Sequence, residues 1–470
     1  MRRAAIAATA CLAAGCASLS VDRNLAAWQA FGETQLGAKV RALDTEAARR
    51  EAEADVDRLL AQPLSVDDAV RISLAYSPSV QALLAGHAAQ SAAATRSARL
   101  PNPVFAFERL VRREHGGAEV EITRSLAFSL VDLLFLPSRI ESASLRQEAL
   151  RLQGAGDVLQ AAAETRQAWV RAVAARQALA YHEQVRDAAE ASAELARRMQ
   201  AVGNWSRLQR AREQAFYADA AAQLARAQQA AVAAREALVR RLGLDERRAA
   251  RLVLPDRLPD LPARLRDEGE IARAALASRL DVRLARAELD ATAKSLGIAR
   301  VASVVDGAHV KAIRETETGA APRRGYEVEL PLPLFDLGDA QRAEARARYM
   351  ASFHRAAEAE AAATSRVREA YGAYRTAHDL ARHYRDEVVP LRKLIADEML
   401  LRYNGMLAGV FELLAEAREQ VRSVAQAIDA QRDFWLADAA LHAELLGRPL
   451  STTAPGAGPA APAAASSGAH

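Results

Sequence analysis

The sequence predicts a mainly helical protein with a small β part, in which long helical hairpins and short strand pairs occur twice along the chain. Apolar residues reach 51% but aromatic residues only 5%, so alanine supplies much of the apolar content. Alanine favours helices and lets them pack closely. Two long stretches, 138–201 and 340–403, contain a single proline between them. A duplication with an offset of about 200 residues relates the two halves of the chain.

The first sixteen residues contain both cysteines, which leaves none for a disulfide or a metal motif in the body of the chain. Arg2 and Arg3 precede a short apolar run, which predicts a signal peptide over residues 1–15. Residues 12–16 read LAAGC and resemble the lipobox of bacterial lipoproteins. That resemblance implies acyl chains on Cys16 and, with Ala17 following, sorting to the outer membrane. An ordinary signal peptide with a chance cysteine remains the alternative.

Charge and motifs exclude several classes of function. The formal net charge of +4 is too small to indicate nucleic-acid binding, and basic and acidic residues are interspersed along the predicted helices. The sequence has no phosphate-binding loop, HExxH motif or nucleophile signature, so we predict neither an enzyme nor a cofactor. Beyond the leader, no apolar run reaches the roughly 18–20 residues of a membrane helix. A membrane crossing would therefore require strands.

The chain divides into six predicted segments. Two repeats are separated by a proline-rich connection, and a tail rich in Ala, Pro, Gly and Ser is predicted to be disordered because it cannot bury a core. The bounds are a signal peptide at 1–15, a lipidated segment at 16–63, a first repeat at 64–250, the connection at 251–266, a second repeat at 267–448 and the tail at 449–470.

Each repeat opens with a helix. Residues 68–75 read DAVRISLA, and their counterpart at 270–277 reads EIARAALA. Ser65 is the predicted N-cap of the first of these helices, with Asp68 as its capping-box partner.

A strand pair follows each opening helix, predicted over residues 103–130 and 309–334. Apolar and polar residues alternate over 119–130, with Arg124 at one apolar position, and they alternate again over 326–334. Strands of about 9–11 residues with one apolar face suit a barrel with lipid outside and water inside. A small soluble sheet would show the same alternation.

Long helical hairpins follow the strand pairs, over residues 138–243 and 338–446, and Pro390 is predicted to kink the second one. Their turns contain Gly203-Asn204 and Asn404-Gly405. Apolar residues recur on more than one side of these helices, which indicates side-by-side assembly. The returning helices are predicted over residues 207–242 and 410–446.

Four strands cannot close a barrel by themselves, because about eight is the smallest number in outer-membrane barrels. Unpaired strand edges in lipid cost several kcal/mol per polar group. Several chains would have to pool their strands, and three chains would supply twelve.

The sequence resembles the TolC family of outer-membrane efflux proteins over residues 64–446. The matching pieces, in order, are LSVDDAV at 64–70, LPNP at 100–103, LPLFDLG at 332–338, RY at 402–403 and FELL at 411–414. The resemblance implies a homotrimer with a shared twelve-stranded barrel, a trimeric helical barrel across the periplasm and an equatorial belt that includes the connection at 251–266. It also implies a passive duct that works with a periplasmic adaptor and an inner-membrane pump, often of the resistance-nodulation-division type.

In that family the turn of the second hairpin closes the periplasmic end, and acidic side chains just past the turn narrow the pore. The resemblance places Glu412 at the first acidic position, facing the lumen, with Ala415 at the second and Glu416 beside it. The alternative is an exposed Glu412 carboxylate paired with Arg418 or Arg422. The implied gate residues are Glu412, Tyr403, Gly405, Met406 and Glu416. The implied adaptor-docking residues are Gly203, Asn204, Ser206, Asn404 and Gly409.

Substrate signals are few. The LPNP entry and the YNGM turn at 403–406 resemble the heavy-metal branch of the family more than the multidrug branch. Met199, Met399 and Met406 fall near the predicted tips, and thioethers are soft ligands. Methionines that fill helix interfaces are the alternative. Met406 also stands where the family often has glycine, with Gly405 one position earlier.

A different class of function is a lipid-anchored coiled-coil scaffold that tethers the cell envelope and conducts nothing. The strand pairs discriminate between the two classes. A tether has no use for alternating segments of bilayer length.

Overall fold

A computed structural model of the chain describes residues 21–114, 117–267, 269, 279–305, 308–330, 335 and 338–449. The signal peptide, Cys16, the residues 270–277 that open the second repeat and all of the tail except Pro449 lie outside the described residues. In the first half the helices and strands are α1 (Val21–Phe31), α2 (Glu46–Leu59), α3 (Val66–Tyr76), α4 (Pro78–Ser97), β1 (Val104–Glu114), β2 (Gly117–Ser129), α5 (Leu130–Leu134), α6 (Leu136–Ala201), α7 (Arg207–Leu242) and α8 (Glu246–Ala250). In the second half they are α9 (Leu280–Val305), β3 (His309–Glu317), β4 (Arg323–Glu329), α10 (Asp339–His383), α11 (Val389–Asn404) and α12 (Val410–Leu445).

The segment before the first repeat is anchored by Trp28. Its side chain is buried and its Nε1 donates to the carbonyl of Arg151 at 2.9 Å. The indole lies directly over Gly154 of α6, where a Cβ would meet ring atoms at 2.4 Å. One of the few glycines of this long helix is therefore required for α1 to dock.

The first repeat begins as the capping signal predicts. Ser65 Oγ accepts from the Asp68 amide at 3.1 Å and donates to the Asp68 carboxylate at 2.7 Å. The neighbouring Leu64 is fully buried, with its N–H donating to the carbonyl of Val253 and its carbonyl accepting from Trp169 Nε1. Both polar groups of this buried backbone segment are satisfied, which fixes the start of α3.

The four strands form one antiparallel sheet in the order β1-β2-β3-β4. Across it Phe105 pairs with Leu126, Leu126 with Ala312, and Ala312 with Tyr326. The strand pairs of the two repeats are thus joined through β2 and β3.

The predicted strand pair at 103–130 is confirmed to within a residue at each end. The predicted fourth strand at 326–334 is wrong at its bounds, because β4 begins at Arg323 and ends at Glu329. It begins earlier because Arg323 pairs with Glu315. Leu330 is outside the strand, and the next residue, Pro331, has no N–H to continue a ladder. Residues 331–334 lie outside the described part of the chain.

The helical hairpins match their predicted positions closely. Helix α6 has 66 residues, and α7 has the predicted bounds. In the second hairpin a π-helical turn at Tyr384–Val388 separates α10 from α11, immediately before Pro390. The predicted interruption is confirmed, and its cause is the missing N–H and the bulk of the proline ring.

The chain divides into two compact units, each with elements from both repeats. One contains the sheet with α1, α4, α9, most of α2 and parts of α6 and α10. The other contains α7, α8, α11, α12, most of α3 and the rest of α6 and α10. In the second unit Tyr374, Phe434 and Leu441 form a buried core, and the carbonyl of Pro259 accepts from Gln431 Nε2 and Trp435 Nε1. In the part of the chain that the structure describes, no helix has the length and apolar character needed to cross a membrane.

Candidate functional site at the hairpin turns

The turn of the first hairpin is closed by standard helix-end chemistry. Gly203 adopts a φ of 80°, and the amides of Asn204 and Trp205 donate to the carbonyl of Met199. Ser206 then caps α7, since its Oγ accepts from the Gln209 amide while its own amide donates to Gln209 Oε1 at 2.6 Å. The predicted docking residues of this turn are therefore fixed in conformation.

The backbone strain in the turn of the second hairpin falls on Met406, the residue that stands where the family often has glycine. Met406 has a φ of 59°, whereas Gly405 has an ordinary φ of −80°. The Leu407 amide donates to the carbonyl of Arg402 at 2.8 Å and closes the turn. Met406 is therefore a left-handed residue with a side chain, an arrangement that costs about 1–2 kcal/mol.

The two turns meet through aromatic side chains. Trp205 is buried, and its ring centroid lies 4.9 Å from that of Phe411, with 36° between the ring planes. Phe411 is in the first turn of α12, one residue before Glu412. The first turn thus supports the start of the helix that carries the predicted gate.

A buried carboxylate joins three helices just beyond the turns. Glu213 of α7 is only 1% exposed, and it accepts from Ser192 Oγ of α6 and from Arg418 Nη2 of α12, both at 2.7 Å. The Arg418 guanidinium also stacks over Phe216, 4.5 Å from the ring centroid. Because the buried charge is paired and hydrogen-bonded, it holds α12 against the first hairpin.

The second hairpin has its own cross-helix pairs. Arg392 of α11 lies 3.5 Å from a Glu416 oxygen and 3.7 Å from a Glu419 oxygen, both on α12. The predicted gate residue Glu416 is thus held within its own hairpin. Tyr403 is 39% exposed at the end of α11.

Glu412 has a local partner. Its carboxylate accepts from the backbone amide of Gly409 at 3.2 Å, and its side chain is exposed. The alternative pairing with Arg418 or Arg422 is wrong, because Arg418 binds Glu213 and Arg422 binds Glu419 at 2.7 Å. The Glu412 carboxylate instead stabilises the N-terminus of α12, which carries a partial positive charge.

Burial and charge shift several pKa values in these hairpins. Hydrogen bonds from Arg197 and Arg198 lower the pKa of Glu194 to about 2, so this carboxylate is charged near the first turn. Burial raises the pKa of Tyr181 to about 12, and its hydroxyl donates to the carbonyl of Val421 at 3.1 Å. Neutral Tyr181 is thus a further link between α6 and α12.

The structure brings all ten residues predicted at the turns to two neighbouring tips, while Cys16 lies outside the described residues. The sequence analysis missed Trp205, Glu213 and Arg392, and it named Arg418 only as a candidate partner of Glu412 and not of Glu213. Trp205 had a visible signal, since an aromatic residue inside a polar turn needs a partner. The other three had none, because a charged residue in a charge-rich helix looks solvated until its neighbours are known.

The fold of the chain, a four-stranded antiparallel sheet with two long helical hairpins, is similar to the folds of solved outer-membrane channel proteins. The single-chain part of the predicted fold, mainly helical with a small sheet, is confirmed.

Particular solved structures are similar to this chain. The outer membrane protein VceC from Vibrio cholerae has a TM-score of 0.68 at 17% identity, over 82% of this chain and 96% of VceC. The outer-membrane channel OprN has a TM-score of 0.66 at 19% identity, over 88% and 95%. The CmeC outer membrane channel of Campylobacter jejuni has a TM-score of 0.64 at 14% identity, over 84% and 85%. No family model and no curated protein matches the sequence.

Proposed function

We propose that the chain is the outer-membrane channel component of a tripartite efflux system, a passive homotrimeric duct from the periplasm to the exterior. The observation that carries the proposal is the sheet, whose exposed apolar side chains and open edges suit a barrel shared between chains. The likeness in fold to the channels VceC, OprN and CmeC supports it.

The apolar face of the sheet has no cover in the described chain. Phe105 is 64% exposed, Phe128 50% and Tyr326 82%. These three side chains share one face of the sheet, and the described glutamates of the strands lie on the other face, as in strands that face lipid on one side and water on the other. Burial in a bilayer would remove this apolar surface from water.

The sheet edges supply the second argument. Within the described residues β1 pairs with β2 alone and β4 with β3 alone, so each leaves one row of backbone groups open. Open rows are too costly in lipid, which favours pooling strands with other copies. Three copies would close a twelve-stranded barrel, and their helical hairpins would form the periplasmic barrel.

The proposed duct has no catalytic role and binds no cofactor. Its proposed partners are a periplasmic adaptor that docks at the two turns and an inner-membrane pump, for example of the resistance-nodulation-division type. Lipid on Cys16 would anchor each chain to the outer membrane. Glu412 of each chain would face the lumen at the periplasmic tip.

The proposed substrates are metal ions or small toxic compounds. Met406 supports the metal alternative, because it is 94% exposed and fills no interface in the chain. Met199 and Met399 are half-buried, which fits packing equally well.

Planar-bilayer recording tests the proposal. Purified full-length protein in mild detergent should be a trimer and should open stable conductances in the bilayer. A monomer, or a trimer without conductance, would contradict the duct and favour the non-conducting lipid-anchored scaffold. Replacing Cys16 with Ser should release the chain from lipid labelling without changing its conductance, which tests the anchor separately.

A further inference from the structure

Three arginines form a row across the sheet. Arg124 of β2 lies opposite Arg314 of β3, and Arg314 lies opposite Arg324 of β4. All three are exposed. Among the described residues they have no hydrogen bond or ion pair, and only Arg124 has a ring contact, 5.9 Å from the centroid of Phe107. Like charges placed directly opposite each other destabilise a sheet. An anionic partner bound to the row would therefore stabilise the sheet.

The sheet keeps its glutamates on the face opposite the arginine row. The row shares its face with Phe105, Leu126 and Tyr326, by the registers and the alternation of side chains. Every glutamate of the strands whose side chain is described occupies the opposite face. There Lys311 pairs with glutamates of β4, both at 3.2 Å. The arginines therefore cannot reach a carboxylate of their own sheet.

Counted from the helical end of the sheet, the row is the first level at which arginines enter the apolar face. On the side toward α5, Leu126 and Phe128 follow Arg124 on the same face over about 13 Å, at about 3.3 Å per residue. On the side toward the β1–β2 turn, the same face carries Arg109 and Arg113 together with the apolar Val111, Val120 and Ile122. An arginine on the lipid face costs about 2–4 kcal/mol at the bilayer midplane but only about 0–1 near the headgroups. The five arginines between the row and the turn therefore favour a position of this part of the face near the headgroups.

We propose that Arg124, Arg314 and Arg324 bind the phosphate groups of a membrane lipid whose acyl chains lie against the apolar face. This inference rests on the proposed function, since it requires the sheet to lie in a bilayer. Guanidinium groups bind phosphate through two parallel hydrogen bonds, and the phosphate removes the repulsion along the row. A neighbouring strand of a second copy in the shared barrel would not supply the anion, because the same face of its sheet carries none of the described glutamates.

The test compares lipid binding by the full-length protein and its variants. The R124Q/R314Q/R324Q variant removes the row, and the R355Q/R366Q/R368Q variant removes three exposed arginines of α10 as the matched control. Each purified protein is offered lipid A, dephosphorylated lipid A or sodium phosphate, and bound molecules are counted by native mass spectrometry.

The wild-type protein and the α10 control should retain lipid A, and the row variant should bind it about tenfold more weakly, as expected for lost charge-assisted hydrogen bonds. Equal retention by all three proteins would overturn the proposal. So would equal retention of the dephosphorylated lipid, or complete displacement of lipid A by millimolar sodium phosphate, which would identify a free anion as the occupant.

Two further measurements keep the result decisive. If the row variant does not assemble, R124K/R314K/R324K retains the charge but loses the bidentate geometry, and it should still bind lipid A more weakly than the control. Conductance is recorded on the same samples. A wild-type protein that conducts without retaining lipid A overturns this inference alone, whereas a protein that never conducts overturns the proposed function.

Discussion

Trp205 of the first hairpin turn packs against Phe411 of α12, with 4.9 Å between their ring centroids. The contact joins the two turns of one chain, and Glu412 follows Phe411 directly. Any movement of the second turn relative to the first must therefore break this pair or move both side chains together.

The aromatic pair should couple the two turns energetically. Replacing Trp205 with Ala, Phe411 with Ala, and both together gives a double-mutant cycle on the free energy of unfolding. We expect a coupling of about 0.5–1.5 kcal/mol beyond the loss of buried area. Hydrogen exchange of residues 199–206 and 405–412 should rise together in either single variant. A coupling of zero, with exchange raised at only one turn, would contradict the link.

Breaking the buried ion pair of Glu213 and Arg418 should lower the free energy of unfolding by several kcal/mol. The Glu213→Gln change leaves Arg418 without its counter-charge, and we expect a loss of about 3 kcal/mol in the free energy of unfolding. The double variant Glu213→Leu with Arg418→Met should recover much of that loss, since an apolar pair avoids the desolvation cost. The control is Arg422→Gln, which removes an exposed pair with Glu419 and should cost less than about 0.5 kcal/mol. Equal losses in Glu213→Gln and the control would refute the role of burial.

Replacing the left-handed Met406 with glycine should raise the free energy of unfolding slightly. The Met406→Gly change removes a backbone strain of about 1–2 kcal/mol but adds unfolded-state entropy of about 0.4–1 kcal/mol, so a small net gain in stability is expected. The matched control is Gly405→Ala, which should not add strain because φ is −80° and the nearest atom to the new Cβ is 3.5 Å away. Thermal unfolding of the two variants measures the difference, and a gain for Gly405→Ala with a loss for Met406→Gly would reverse the assignment.

The second unit should lose stability in mild acid through His442. Burial, with added repulsion from Arg166 and Arg266, lowers the pKa of His442 from 6.5 to about 4. As pH falls from 6.5 toward 4 the unfolded chain binds this proton before the folded chain does, so stability falls through that window. Burial raises the pKa of the neighbouring Asp438, which acts in the opposite direction.

A His442→Gln variant isolates the first effect, because Asp438 is retained. The variant should show a flatter fall in unfolding temperature between pH 6.5 and 4 than the wild type. The exposed His354 provides the control, and His354→Gln should leave the curve unchanged. Parallel curves for wild type and His442→Gln would contradict the depressed pKa.

A Glu412→Gln change would remove the charge of this side chain and keep its hydrogen bond with the Gly409 amide. Glutamine retains an oxygen for the Gly409 amide, so Glu412→Gln tests charge alone. If three such carboxylates narrow the pore, block of the single-channel current by divalent or trivalent cations should weaken. Glu246→Gln on α8 is the charge-matched control. Unchanged block in Glu412→Gln would exclude the predicted gate position.

Much of this fold could be read from local pattern. The helix at 207–242 was predicted at its observed bounds, because Ser206 supplies a cap and Gly243 a left-handed end that both act within one turn of the chain. The predicted start of β4, at residue 326, was too late, because the strand begins where Arg323 pairs with β3 and not where its own alternation begins. Met406 stands where the family often has glycine, and the structure shows that this residue adopts the left-handed conformation that glycine would favour.

Local patterns in the sequence were enough to predict the period-two strands, the long alanine-rich helices and the two turns, since each follows from residues a few positions apart. The duplication was visible from a comparison of the two halves of the chain. Folding determines which charges are buried and which rows of side chains align. Glu213 meets Arg418 across about 200 residues of chain, and Arg124 meets Arg314 through a β2–β3 register that no local signal encodes. Packing and strand pairing act at a distance, so their partners become visible only when the chain is folded.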